Sequence, residues 1–145
     1  MGWPQIVTWL LVISGWWLVN RQNNIREKRK EIRSILDKIQ SLLDEIEIQA
    51  VQYHTSQESS DLAFQLKRGL NQKLRNRLDI LKLRNLDVKK CYPLLKQFRQ
   101  AVTLINFDTS NFKPQNLSDD LIKNIWLAKD KLSQELEQIF SSHYS

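Results

Sequence analysis

The sequence predicts an all-α protein with one N-terminal transmembrane helix followed by a cytosolic helical bundle. Three observations carry this expectation. Glycine occurs three times and proline three times among 145 residues, too few for a chain built on tight turns. Leucine, isoleucine, glutamine, lysine and arginine are abundant, a balance that suits helices. Residues 1–20 hold no charged side chain, whereas all 22 Lys and Arg and all 16 Asp and Glu come after them. The length allows one modest domain beyond that first segment. The resulting division is 1–20 as the anchor, 21–51 as a basic juxtamembrane and amphipathic helix, and 52–145 as the cytosolic helical domain.

The anchor stretch Trp3–Val19 reads WPQIVTWLLVISGWWLV. At a rise of about 1.5 Å per residue it covers roughly 25 Å, the short end of what crosses a bilayer core. Trp3 stands at one end and Trp16 and Trp17 at the other, and indole rings favour the membrane–water interface. Pro4 suits a first helical turn, where a missing N–H costs little. A cleaved signal peptide needs a basic start and small residues at its end. Here no basic residue precedes the run, and Trp16, Trp17 and Leu18 close it.

Arg21, Arg26, Lys28, Arg29, Lys30 and Arg33 follow directly, against Glu27 and Glu31. The positive-inside rule puts that side in the cytoplasm. The expectation is a single-pass protein of the inner (plasma) membrane with its C-terminal domain cytoplasmic. The same cations face anionic headgroups.

Leu11, Leu18, Ile25, Ile32, Ile39, Ile46 and Tyr53 are spaced seven apart, with Ile35, Leu36, Leu42 and Leu43 beside them. Seven is the coiled-coil period, so this first helix offers a seam for homo-oligomers. The same stripe equally suits packing on the chain's own later helices. Asp37, Asp44, Glu45 and Glu47 on this helix are expected to face the basic helix that follows.

Residues 52–60 (QYHTSQESS) are polar and end the first helix, leaving His54 in an exposed turn and Ser59 or Ser60 to cap the next. That second helix is expected to run to about Lys90 on an apolar face of Leu66, Leu70, Leu74, Leu78, Leu81 and Val88. A break at Cys91-Tyr92-Pro93 precedes a third helix over residues 94–105, with Leu94, Leu95, Phe98, Val102 and Ile105 inward. After a polar loop containing Pro114, Ser118-Asp119-Asp120 starts the last helix. Its core face is Leu121, Ile122, Ile125, Leu132, Leu136 and Ile139, and Trp126 is either core or an interface anchor. Helices with short connections make an antiparallel bundle.

Charge narrows the partner. The net charge is +6, which favours an anionic partner. Between Lys67 and Lys90 nine residues are basic and two acidic. Arg68, Arg75, Lys82 and Lys89 recur every seven residues, while Lys73, Arg77 and Arg84 lie nearer the leucine edge. The candidate ligand-binding residues are Arg68, Lys73, Arg75, Arg77, Lys82 and Arg84, because guanidinium forks and ammonium groups hold phosphate oxygens. Asn71, Gln72, Asn76 and Asn85 add donors for a base or ribose. The plain alternative is a solvated helix face. Aromatic side chains for stacking bases are absent from this stretch, which counts against a general single-strand binder.

No motif supports catalysis or a cofactor. Histidine occurs at 54 and 143 alone, and cysteine at 91 alone, short of a zinc set within one chain. Glycines at 2, 15 and 69 form no phosphate-binding loop. The lone Cys91 makes no internal disulfide, in keeping with a reducing compartment. The chain is therefore expected to be non-enzymatic.

The order of the Trp3–Val19 span, the Arg21–Arg33 cluster and the basic Lys67–Lys90 helix resembles small membrane-anchored bacterial antiviral effectors. CRISPR-associated membrane proteins gated by cyclic oligoadenylate are among them. The resemblance is one of layout along the whole chain and transfers no functional residue. It implies an effector in antiviral defence that binds a nucleotide second messenger, such as cyclic oligoadenylate, or nucleic acid, and couples binding to its membrane helices. The competing expectation is a bitopic scaffold that oligomerises and organises membrane partners without a small ligand. A third is a holin-like membrane toxin with a regulatory tail.

Overall fold

A computed structural model describes residues 2–56, 60–103 and 114–144. Regular structure among the described residues is entirely helical. In chain order these are α1 (Trp3–Thr55), α2 (Ser60–Arg68), a π-helical segment (Gly69–Leu74), α3 (Arg75–Leu83), α4 (Cys91–Thr103) and α5 (Asp120–His143). The chain divides into two compact units, Met1–Ser34 and Ile35–Ser145.

The first unit is the N-terminal part of α1. Between Trp3 and Val19 its apolar side chains are exposed, Trp3 by 77 %, and with it Trp9, Leu11, Ile13, Trp16, Leu18 and Val19. The Thr8 and Ser14 hydroxyls are turned onto the helix itself. Thr8 Oγ1 donates to the Pro4 carbonyl at 2.9 Å, and Ser14 Oγ donates to the Leu11 carbonyl at 3.0 Å. The Arg21 guanidinium lies over the Trp17 ring, 5.5 Å from its centroid. Among the described residues no helix is long and apolar enough to cross a membrane, so the expected transmembrane helix finds no support on that measure. Gln5, Thr8 and Ser14 interrupt the run, and its tryptophans are interfacial rather than hydrocarbon-like.

The second unit holds the core. From Leu36 onward the seam of α1 is buried at Leu36, Ile39, Leu43, Ile46, Ala50 and Tyr53. The chain's own α5 lies along it. Gln40 Nε2 donates to the Ser133 carbonyl at 3.2 Å, and Ser133 Oγ returns a bond to Gln40 Oε1 at 2.6 Å. Lys129 Nζ sits 2.6 Å from Asp44 Oδ1 and 2.9 Å from Glu47 Oε2. Asp44 and Glu47 thus meet α5 and not the basic second helix, a correction to the sequence expectation. Burial pulls the Lys129 pKa down, but the hydrogen bonds to Asp44 and Glu47 outweigh it and leave the ammonium above its ordinary value.

The predicted second helix is not one α-helix. Leu66, Leu70, Leu74 and Leu78 are all buried, yet they are spaced four apart three times running. On an α-helix of about 3.6 residues per turn that spacing walks steadily off the core face. The π-helical segment widens the turn and takes up the drift. Gly69 at its start makes a close approach, since an added Cβ would lie 3.4 Å from Ile46 Cδ1 and Cγ1.

The helix also stops earlier than expected, at Leu83. Asn85 adopts a left-handed φ of 67°. The Asn85 N–H reaches the Lys82 carbonyl at 3.0 Å, and the Leu86 N–H reaches Leu81 at 3.2 Å. These two bonds and the buried Leu81–Leu86 pair form a Schellman C-cap. Replacing Asn85 with alanine is expected to cost about 1 kcal/mol through the left-handed backbone, and Asn85→Gly to cost none, as read by urea unfolding.

α4 begins at Cys91, three residues before the predicted start, because Pro93 fits a helix's first turn. Leu95, Phe98 and Val102 are buried as expected; Ile105 and Ser59 lie outside the described residues. α4 packs on α5. α5 buries Leu121, Ile122, Ile125, Leu132 and Leu136, and it adds Phe140 where Ile139 was expected. Asp119 is its N-cap residue, but its carboxylate accepts from the Asn116 N–H at 2.7 Å and makes no forward cap bond.

His54 departs most from expectation. It is fully buried in the last turn of α1, not exposed in a polar turn. Its Nε2 lies 2.6 Å from the Val102 carbonyl. A carbonyl only accepts, so Nε2 carries the proton. The His54 backbone carbonyl in turn accepts from Gln115 N–H, which joins α1, α4 and the approach to α5. Burial lowers the imidazole pKa, and the Val102 bond opposes this in part.

The pH consequence has a definite sign. In the unfolded chain histidine takes a proton below about 6.5, whereas the folded state resists it to lower pH. The unfolded state therefore binds more protons in that window, and stability rises with pH across it. The full contribution is present above about 6.5 and is lost as pH falls toward the depressed folded value. Melting temperatures at neutral and mildly acid pH test this. The difference is expected to shrink in His54→Gln.

Candidate anion-binding surface

The six residues expected to hold an anion all lie on the α2–α3 stretch, but not as one stripe. Arg68 ends α2 and Lys73 lies in the π-helical segment, whose wider turn breaks the seven-residue alignment of Arg68 with Arg75. Lys89 lies beyond the Schellman cap, off the helix altogether. The predicted continuous stripe is therefore replaced by a cluster centred on α3.

On α3 each residue turns about 100°. With Leu78 and Leu81 buried inward, Arg75 and Lys82 fall on one flank and Arg77 and Arg84 on the other. Asn76, Asp79, Ile80 and Leu83 stand between these pairs, on the side away from the core. Arg75, Lys82 and Arg84 are exposed and Arg77 is half-buried. Leu83 is 81 % exposed and Ile80 40 %. Arg68, Lys73, Arg77 and Lys82 meet no carboxylate within ion-pair distance among the described residues.

The acid on α3 is already engaged. Tyr92 donates its hydroxyl to Asp79 Oδ1 at 2.6 Å. Desolvation first, and then that bond, push the Tyr92 hydroxyl up to about 12, against the pull of Arg75 nearby. Of the polar residues expected to read a base, Asn71 accepts from Arg99 Nη1 at 3.3 Å and Asn85 serves as the helix cap. Gln72 and Asn76 remain exposed.

Sequence reasoning overlooked Ile80 and Leu83 as part of this face. Placing Leu78 and Leu81 at the core was enough to send Leu83 outward, so the signal was present. It also overlooked an open cleft of about 310 Å³ lined by Asp87, Lys90, Glu135, Gln138, Ile139, Ser142 and His143. Nearby Cys91 is buried, and burial, then Glu135 and Asp87, push its thiol up to about 12, leaving it protonated and a poor nucleophile. None of the six cations lines this cleft. Among the described residues no group of histidine, cysteine and carboxylates is placed to hold a metal ion.

Chemically, the α3 face can attract phosphate along two parallel edges but cannot enclose it. Comparison with protein-family models, curated proteins and solved structures finds no match.

Proposed function

We propose that this protein is a non-enzymatic, single-pass membrane effector whose cytoplasmic helical domain binds a phosphate-bearing anion on α2 and α3. The observation that carries the reading is the trio of exposed cations Arg68, Lys73 and Lys82, which meet no carboxylate within ion-pair distance among the described residues while the acid on α3 is bonded to Tyr92. Membrane attachment is supported by the uncovered apolar surface of α1 and by the basic residues Arg21 to Arg33 that follow it. The span is short and rich in tryptophan, so its indoles would sit at both interfaces.

A compact nucleotide is ordinarily held in a concave site. The two flanks of α3 diverge, so a cyclic oligoadenylate would need the basic faces of two copies. An extended polyanion needs only one. Antiviral signalling is the setting in which the nucleotide version of this reading operates.

The test is thermal unfolding of the full chain in a neutral detergent, with cyclic oligoadenylate, cyclic dinucleotide, linear RNA or DNA added. A ligand at a hundredfold its dissociation constant stabilises the folded state by about 2.7 kcal/mol. The shift is expected to fade with added salt and to vanish in Arg75→Gln/Arg77→Gln/Lys82→Gln. No shift from any of these ligands, in a chain that unfolds cooperatively, would overturn the nucleotide and nucleic-acid versions of this reading and leave a lipid phosphate or the scaffold reading. The scaffold reading is favoured by one feature: Leu11, Leu18 and Ile25 are exposed at seven-residue spacing, a seam open to another helix.

A further inference from the structure

We infer that the outward face of α3 docks on the surface of an anionic lipid bilayer. Leu83 and Ile80 enter the headgroup layer, while Arg75 and Lys82 on one side and Arg77 and Arg84 on the other meet lipid phosphates. The inference deepens the proposed function by naming the phosphate-bearing partner of that face, and it rests on the chain being held at a membrane.

Charge and shape favour this occupant. The face is convex and carries cations along both edges, and its acid, Asp79, is turned to Tyr92. A convex cationic ridge matches a planar array of phosphates better than it matches a small anion. The apolar pair between the edges separates lipid from nucleic acid. Aliphatic side chains neither stack on bases nor bind phosphate, so Leu83 and Ile80 would gain nothing from RNA. At a lipid surface they leave water for the acyl boundary, while the long basic side chains reach back to the headgroups. Basic flanks around an exposed aliphatic centre are the pattern of a helix lying in an interface.

The experiment uses the full chain carrying Leu83→Cys, labelled with an environment-sensitive fluorophore. Leu83 is exposed, so the change removes no packing, and the native Cys91 is buried and resists labelling. Asn76→Cys, on the same face, provides a second reporter. Each is reconstituted into vesicles of phosphatidylcholine alone or of an equimolar mixture with phosphatidylglycerol. Flotation is measured alongside, to report anchoring independently of α3.

The expected result is a shift to shorter emission wavelength and reduced acrylamide quenching in the anionic vesicles only. Both are lost when Arg75, Arg77 and Lys82 become glutamine. A chain that floats with both vesicle types while its probes stay quenched in both overturns the docking and spares the anchor. Equal shifts in both lipids overturn it too, because charge then plays no part. Failure to float in either overturns the anchoring on which the inference rests.

Discussion

Gly69→Leu is expected to lower the stability of the helical domain by about 2–3 kcal/mol, or roughly 10 °C in melting temperature. Gly69 begins the π-helical segment against Ile46, with room for a Cβ at 3.4 Å and nothing larger. Both residues are buried, so the added carbons cannot turn toward water. They must push the π-helical segment off α1, or force Ile46 from its rotamer. Gly69→Ala is the control: its methyl lies at the edge of ordinary contact, and the gain in helix propensity, about 1 kcal/mol, offsets the small shift required. Ile46→Ala opens space at the same point, so Gly69→Leu/Ile46→Ala is expected to unfold later than the sum of the single changes implies. Chemical denaturation of all four chains measures the coupling. Additive losses would mean that the helices do not meet there.

The close approach at Gly69 also illustrates how much of the fold was readable beforehand. Helical class and the inward faces at Leu66–Leu81, Leu95–Val102 and Leu121–Leu136 follow from apolar spacing, because burying a stripe is the strongest local constraint on a helix. The π-helical segment was written in the same spacing, as three successive intervals of four around a glycine. An α-helical template reads that drift as tolerable scatter. The end at Leu83 was harder to see, because asparagine rather than glycine supplies the left-handed residue. His54 was misplaced because its neighbours Gln52, Thr55 and Ser56 are polar. Its burial depends on Val102, 48 positions along the chain, which no local window contains.

The candidate surface was legible in its charge and not in its geometry. Nine basic residues in one stretch mark it without any structure. Their division into two flanks depends on where the π-helical segment ends, and so does the outward position of Leu83. Asn71 looked available for recognition, yet Arg99 of α4 occupies it.

Two arginines placed in the apolar part of α1 are expected to have the largest effect on location. Leu11 and Ile13 are 67 % and 58 % exposed, so Leu11→Arg/Ile13→Arg removes no packing within the protein. In a bilayer each arginine near the middle of a helix costs about 2.5–3.5 kcal/mol. Together they cost roughly 5–7 kcal/mol, which lowers partitioning by a factor of about 10⁴. The native stretch has the opposite balance. Its aliphatic side chains gain on leaving water, its Thr8 and Ser14 hydroxyls already bond to backbone carbonyls, and tryptophan stands at both ends, where indole favours an interface.

The most direct measurement is therefore the distribution of the full chain between membrane and soluble fractions after an alkaline carbonate wash, beside Leu11→Arg/Ile13→Arg. The account predicts that the native chain stays in the membrane and the double variant is released, with the domain folded in both. A native chain released by the wash, or a double variant retained as firmly as the native one, would contradict it.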